Sequence, residues 1–341
     1  MRNHKGFSIV ELMIAMLLGL LLMGGVIQVL TGSQGSYNEL VQQARMQETA
    51  KIALDYIVRD LRNVGYFGCN GSAMQVANSI DNTSSYYFDI NDVLEGWDED
   101  ETGIPTKYSG IVEDSSVLEM RLIDISNALT VKDHNPDSAR ISFNGPHPYP
   151  SGTVWTVVDR DCSNIGIFVQ SGPTNCVTKA QCTAMDPDDD DKAVSAWAEH
   201  VVHNTGLGNC TNHLKGNFDC TNESASIEKA YSPGSSVFTM EEVAYWIEPS
   251  GTDATINALH RDGQEIINGV DGLRFRYGVD DDGDGFPDVF LSASAINASA
   301  SYEFSEVISI SIEVDVSTYE NTAIQSQTFS TSVRLRNRGL S

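Results

Sequence analysis

The stretch KGFSIVELMIAMLLGLLLMGGVIQVL, residues 5–30, contains a single ionisable side chain after Lys5, the carboxylate of Glu11. A run of this length is long enough to cross a bilayer as a helix, which needs roughly 20 apolar residues. Basic residues precede the run and none follows it closely, so the charges predict an internal leader and an exported remainder. No A-x-A pattern follows, which argues against an ordinary cleaved signal peptide and leaves an uncleaved signal anchor as the simplest interpretation.

The segment that follows predicts an amphipathic continuation of the same helix. Between Gly35 and Gly65 it contains no Pro and no Gly, and its apolar residues recur every three or four positions. That spacing places one apolar stripe on one side of a helix. We therefore expect one helix over 7–64, about 85 Å long, whose first half lies in lipid and whose second half packs on a globular head. The stripe consists of Ala50, Leu54, Ile57, Leu61 and Val64.

The overall composition limits the possible functions. The chain has 341 residues, a formal net charge of −26 and a hydrophobic content of 41%. This content supports a packed core, whereas so acidic a surface repels phosphate backbones, and we expect no direct binding of nucleic acid. The sequence contains no G-x-S-x-G, HExxH, P-loop or glycine-rich dinucleotide motif. We therefore expect a protein that is not an enzyme.

Residues 65–341 are predicted to form a β-rich head outside the cytoplasm. Apolar and polar residues alternate in VISISIEVDV (307–316), GLRFRYGV (272–279) and TFSTSVRLRNR (328–338). This alternation is the pattern of strands with one buried face. Such strands form largely antiparallel sheets, which the helix covers on one side, so the predicted fold class is α+β.

The cysteines predict disulfide bonds. An even count behind a membrane-directing N-terminus is typical of disulfides formed outside the cytoplasm, and no CxxC pair favours the alternative of a zinc site. Strand signals fade between 159 and 235, where five of the six lie, so we expect a loop-rich insertion stabilised by disulfides. Cys210 and Cys220 are a reasonable local pair, and Cys69 is positioned to tie the helix to the head. The six are Cys69, Cys162, Cys176, Cys182, Cys210 and Cys220.

The stretch VDDDGDGFPDVF, residues 279–290, has the spacing of a calcium-binding loop. Aspartates stand at alternate positions and a glycine allows a sharp turn, as in an EF-hand loop. Leu291 occupies the twelfth position in place of the usual glutamate, and strands are expected on both sides, which argues against a true EF-hand. We expect a Ca²⁺ site, and the alternative is a solvated acidic turn. The expected ligands are the side chains of Asp280, Asp282, Asp284 and Asp288 and the carbonyl oxygen of Phe286.

The N-terminal residues KGFSIVELMIAML resemble the class III leader and helix start of type IV pilins and type II secretion pseudopilins. The resemblance implies that a prepilin peptidase removes the leader 1–6 by cleaving after Gly6 and then methylates Phe7. It also implies that Glu11 pairs with the new α-amino group, either its own or that of a neighbouring subunit. A carboxylate inside a bilayer is costly unless it is neutralised or paired, which agrees with that role. The alternative is an interfacial glutamate in an ordinary anchor.

Two further stretches resemble PilW-type minor pilins: VDGLRFRYGVDDDGDGFPD (270–288) and TSVRLRNRG (331–339). This resemblance implies a subunit that helps to prime type IV pilus assembly and then lies at the pilus tip. Its expected partners are other minor pilins, the major pilin and a tip adhesin. Before assembly the protein is expected to span the inner membrane once, with its head in the periplasm.

Two other functions are compatible with the sequence. A large J-like pseudopilin of a type II secretion system has the same leader and helix, and its gene neighbours would be secretion components. A membrane-anchored, calcium-dependent adhesin or enzyme that does not polymerise would keep its leader in the mature protein.

Overall fold

The computed structural model describes residues 8–69, 75–86, 93–99, 101, 103–108, 110–113, 115–172, 199–318 and 325–335. The predicted processing residues Gly6 and Phe7 lie outside the described residues, as do Cys176 and Cys182. The described chain forms a long N-terminal helix and a β-sheet head, which confirms the predicted α+β fold class.

Helix α1 spans Ile9–Leu61 and comprises 53 residues. It is one continuous helix, as the sequence predicts. All described residues from 8 to 40 are exposed, and the first buried side chain is that of Met46. In the buried half the stripe differs slightly from the prediction, because Ala53 is fully buried and Leu54 is half-buried. The helix therefore has one half that packs on the head and one half that contacts no other described part of the chain.

The strands of the head alternate with short turns and one short helix, α2, at Ala293–Asn297. The strands are β1 (Gln75–Asn78), β2 (Leu94–Asp98), β3 (Ser116–Ile123), β4 (Leu129–Asn135), β5 (Arg140–Phe143), β6 (Val154–Val158), β7 (Asn164–Val169), β8 (His200–Val202), β9 (Lys215–Gly216), β10 (Ser226–Ile227), β11 (Ser236–Pro249), β12 (Asn257–Arg261), β13 (Gln264–Asn268), β14 (Val270–Val279), β15 (Val289–Leu291), β16 (Val307–Thr318) and β17 (Gln325–Arg334).

Two sheets carry most of these strands. The larger sheet is built on the long strand β11, which pairs with β4 and β6 near its start and with β3 and β12 further along. The smaller sheet has the order β15-β14-β16-β17. Pairing is antiparallel in both sheets except between β1 and β7. This is the arrangement that half-buried alternating strands predict.

The main hydrophobic core lies where α1 packs on the smaller sheet. Ala53, Ile57 and Leu61 of the helix are fully buried there. Burying an aliphatic side chain of the size of Ile57 or Leu61 contributes about 1.5–3 kcal/mol. The packed half of the helix is therefore firmly bound to the head. The inward residues of β14 and β16 are Leu273, Phe275, Tyr277, Ile310, Ile312 and Val314.

Strand β7 corrects the prediction of a loop-rich insertion over 159–235. This strand pairs with β1 and β6, and all of its residues except Asn164 are buried. After its first residue the sequence NIGIFV is a continuous apolar run, so apolar and polar residues do not alternate in it. Such a run is typical of a strand that is covered on both faces. The part of the insertion that the structure describes therefore contributes to the core.

Two disulfide bonds join described residues. Cys69–Cys162 links the segment after α1 to the turn before β7, over a sequence separation of 93. In the chain-entropy model, closing a loop of this length stabilises the fold by on the order of 4 kcal/mol. Cys210–Cys220 closes a local loop with a separation of 10. The sequence suggests the pairing of Cys210 with Cys220. It also suggests that Cys69 attaches the helix to the head, and both bonds agree with this.

A buried carboxylate on the helix makes polar contact with the head. Asp60 is 6% exposed. Its Oδ2 accepts a hydrogen bond from the hydroxyl of Tyr245 at 2.7 Å and another from Nε of Arg261 at 2.9 Å. Burial, together with the charge of Asp60, raises the pKa of Tyr245 above its usual value, so the hydroxyl remains a donor. These bonds bind the last turns of α1 to β11 and β12.

Asp60→Ala is expected to destabilise the head by about 2–3 kcal/mol, because it leaves the buried hydroxyl of Tyr245 and Nε of Arg261 without their acceptor. Urea unfolding of the detergent-solubilised full chain measures this change. Asp55→Ala is the matched control, since Asp55 lies exposed on the same helix and should change stability by no more than about 0.5 kcal/mol. Equal effects of the two substitutions would contradict the role assigned to Asp60.

Candidate functional site

The free half of helix α1 is the first candidate site. Its residues 9–30 are apolar on every side except at Glu11 and Gln28, and large hydrophobic side chains such as Ile9 (79% exposed), Leu20 and Leu22 (72% each) project from it. Among the described helices, α1 is the one that is long and apolar enough to cross a membrane. A helix that is hydrophobic on every side is stable only in lipid or among other helices. Its surface therefore requires an environment that the head does not provide.

Glu11 lies in the first turn of this helix. The helix begins at Ile9, and the amide of Leu12 donates to the carbonyl of Ser8 at 3.1 Å. Glu11 is exposed among apolar neighbours. The positive end of the helix dipole favours a carboxylate in the first turn. The structure thus places Glu11 where it can contact a cationic group near the helix start.

The aspartate loop between β14 and β15 is the second candidate site. Asp280 is 8% exposed, and its two carboxylate oxygens accept the amides of Gly283 and Gly285, each at 2.8 Å. Both glycines have a positive φ, 76° and 84°, which residues with a Cβ rarely adopt. The sharp turn that the sequence predicts is therefore built by one buried carboxylate and two glycines.

The carboxylates of Asp282, Asp284 and Asp288 each accept a hydrogen bond from a backbone amide of the loop. Asp282 Oδ1 accepts the amide of Asp284 at 3.1 Å, and Asp284 Oδ1 accepts the amide of Phe286 at 2.8 Å. Asp288 Oδ2 accepts the amide of Asp281 at 3.0 Å. These are local hydrogen bonds between side chain and backbone, and they fold the loop back on itself.

Three carboxylates of the loop converge. Ligand oxygens of Asp280, Asp282 and Asp288 lie within 4.8 Å of one another, and Asp284 does not belong to this group. A hydrogen bond to Asp288, together with the nearby negative charges, raises the pKa of Asp281. Like charges at this spacing repel unless a cation lies between them. The donor set of three hard oxygens fits Ca²⁺, which takes six to eight oxygen ligands and accepts water for the rest.

The surroundings of the loop differ from those of an EF-hand. Leu291, at the twelfth position, belongs to β15 and pairs with Tyr277 of β14, so strands flank the loop on both sides. The guanidinium of Arg334, at the end of β17, donates to the carbonyl of Gly285 at 2.8 Å. The loop is thereby connected to the last strand of the sheet.

A pair of buried histidines, which lie 69 positions apart, is not predicted by the sequence. Nε2 of His134 lies 3.2 Å from Nε2 of His203, and the amide of Tyr231 donates to Nδ1 of His134 at 2.9 Å. Burial, and then the charge of Lys215, lower the pKa of His134 to about 4. Burial lowers the pKa of His203 to about 3. Since Nδ1 of His134 accepts, its proton lies on Nε2 and faces His203, so this nitrogen has no lone pair for a metal ion.

Comparison with known families gives one match at each end of the chain. Residues 1–27 match the prokaryotic N-terminal methylation motif. Residues 250–337 match type IV pilus-assembly protein W. Both matches are consistent with a PilW-type, pilin-like protein. The second match covers strands β12 to β17 and therefore includes the aspartate loop.

The two matches also bear on the broad class of function. They support a type IV pilus-related minor pilin, and the apolar helix with a prepilin-type motif suggests a membrane-anchored pilin. The matched family suggests interaction with other pilins. The family match favours a pilus over the alternative of a secretion system. No curated protein and no solved structure matches the chain.

Proposed function

We propose that this PilW-type protein joins other minor pilins in a complex that primes type IV pilus assembly and then lies at the pilus tip beneath an adhesin. The observation that carries the proposal is the free half of α1, in which every described residue from 8 to 40 is exposed. Lipid covers this surface before assembly, and the helices of neighbouring subunits cover it afterwards. The two-sheet head is bulky, which suits a scarce tip subunit better than a closely repeated shaft subunit. Its chemistry is assembly, not catalysis.

Glu11 would act in the docking step of this assembly. Cleavage after Gly6 by a prepilin peptidase leaves a methylated α-amino group on Phe7, and Glu11 follows four residues later, about one helical turn. A charged carboxylate in hydrocarbon is stabilised when a cation pairs with it. An incoming subunit whose amine meets Glu11 therefore gains both helix packing and charge neutralisation.

Glu11→Ala is expected to leave the protein in the membrane and to lower its incorporation into pili by about ten-fold or more. This corresponds to loss of a charged hydrogen bond of about 1.5–3 kcal/mol. Quantitative immunoblotting of sheared pili and of membrane fractions measures the two pools. Glu39→Ala serves as the control, because Glu39 is an exposed acid of the same helix beyond its apolar run. Normal incorporation of the Glu11 variant would refute the pairing role.

We also propose that the aspartate loop binds Ca²⁺ through Asp280, Asp282 and Asp288. The bound ion would neutralise the three carboxylates that converge there. Because Arg334 donates to Gly285 in the same loop, ordering of the loop would also fix the end of β17. The site would thereby stiffen the part of the head that matches the PilW family.

Millimolar Ca²⁺ is expected to raise the melting temperature of the full chain by several degrees. Binding at 100 times the Kd stabilises the folded state by about 2.7 kcal/mol. The double variant Asp282→Asn/Asp288→Asn should lose this rise, whereas Asp284→Asn should keep it, because Asp284 does not join the converging group. Differential scanning fluorimetry with Ca²⁺ or with EDTA measures the shift. Identical melting curves of the unaltered protein in both conditions would show that the loop is only a turn.

A further inference from the structure

Strand β17 forms a long and open edge of the smaller sheet. It pairs with β16 over all ten of its residues without a register shift. The other strands that lie at sheet edges in the described part, such as β2, β8 and β15, are two to five residues long. No described residue pairs with the outer side of β17. A regular strand in this position presents unpaired backbone groups to another chain.

The composition of β17 does not protect this edge. Proteins usually block such edges with charges, proline, bulges or very short strands. Residues 325–333, QSQTFSTSV, contain no charge and no proline, although 20% of the whole chain is charged. The strand also contains no bulge, since its register with β16 is regular. Each of the common protective devices is therefore missing from this segment.

The hydrogen-bond pattern identifies the backbone groups of β17 that pair with no described residue. The amide of Leu335 donates to the carbonyl of Ile308 at 2.8 Å, so Leu335 and every second residue before it face β16. The alternate residues direct their N–H and C=O groups to the open side. Their side chains lie on the exposed face of the sheet, whereas Val333 and Leu335 are buried in the core. The outward-facing residues are Ser326, Thr328, Ser330, Ser332 and Arg334.

We propose that the open edge of β17 accepts an extended strand from a neighbouring pilin-like subunit, which continues the smaller sheet by one strand. This rests on the proposed function, because a minor pilin has such neighbours. Helix α1 packs directly on the sheet to which β17 belongs. Because α1 contacts β17 as well as β16, a subunit whose helix packs along α1 comes close to this edge of the head. Backbone hydrogen bonds along the edge would supply most of the binding energy.

The charge of the protein narrows the chemistry of the partner strand. The net charge of −26 disfavours the approach of an acidic segment. The outward side chains of β17 before Arg334 are small and polar, and they carry no charge to offset repulsion. The partner strand is therefore uncharged or basic, and it presents free N–H and C=O groups rather than a set of specific side chains.

Ser330→Pro tests this proposal without breaking the sheet itself. The amide of Ser330 faces the open side, so proline there removes no hydrogen bond to β16, and proline is tolerated on edge strands. The proline ring removes one outward donor and obstructs an added strand. Ser330→Ala keeps the donor and is the matched control.

The measurement is the affinity of the detergent-solubilised full chain for each purified minor pilin of the same pilus system. The proposal expects Ser330→Pro to weaken binding to one of them by about ten-fold or more. Its melting temperature should stay close to that of the unaltered protein, and Ser330→Ala should bind normally. In the unaltered complex, amide hydrogen exchange over 326–334 should slow relative to the free protein.

Several results would overturn the proposal. Unchanged binding by Ser330→Pro would show that the edge is not used and would leave the proposed function intact. A large loss of melting temperature would show that the edge is already paired within the chain. Self-association of the unaltered protein that Ser330→Pro abolishes would identify a second copy as the occupant. Failure of the unaltered protein to bind any minor pilin would overturn the proposed function together with this proposal.

Discussion

The contact of Asp60 with Tyr245 and Arg261 lies at the junction on which the rest of the molecule depends. It places a charged group of α1 in the head at 6% exposure, beside the fully buried Ile57 and Leu61. A buried carboxylate is stable there because both hydrogen bonds satisfy it. The junction fixes the direction in which the remaining helix leaves the head, and its exposed apolar half must then find lipid or other helices. The proposed membrane anchoring and assembly both depend on one helix with two different surroundings.

The parts of the fold that depend on local periodicity could be predicted from the sequence. The apolar stripe around Ile57 follows the helical period, and the alternating residues of β14 and β16 follow the period of a strand with one covered face. The spacing of Asp280, Asp282 and Asp288 identified the loop, because short turns are set by neighbouring residues. Asp284 shares that spacing but lies outside the converging group, and the spacing alone does not show which carboxylates the folded loop brings together.

The parts that depend on distant residues could not be predicted. Asp60 and Tyr245 are 185 positions apart, His134 and His203 are 69 apart, and only the tertiary fold brings them together. Strand β7 is buried on both faces and so lacks the alternation that identifies the other strands. The open edge of β17 likewise depends on the order of strands in its sheet, which no local pattern determines.

We propose that the N-terminal segment is a processed docking element and not a permanent signal anchor. Intact-mass and N-terminal peptide mass spectrometry of the protein from sheared pili and from membranes tests it most directly. The protein in pili is expected to begin at N-methylated Phe7 and to lack residues 1–6. A mature protein that begins at Met1 with an unmodified Gly6–Phe7 bond would contradict it.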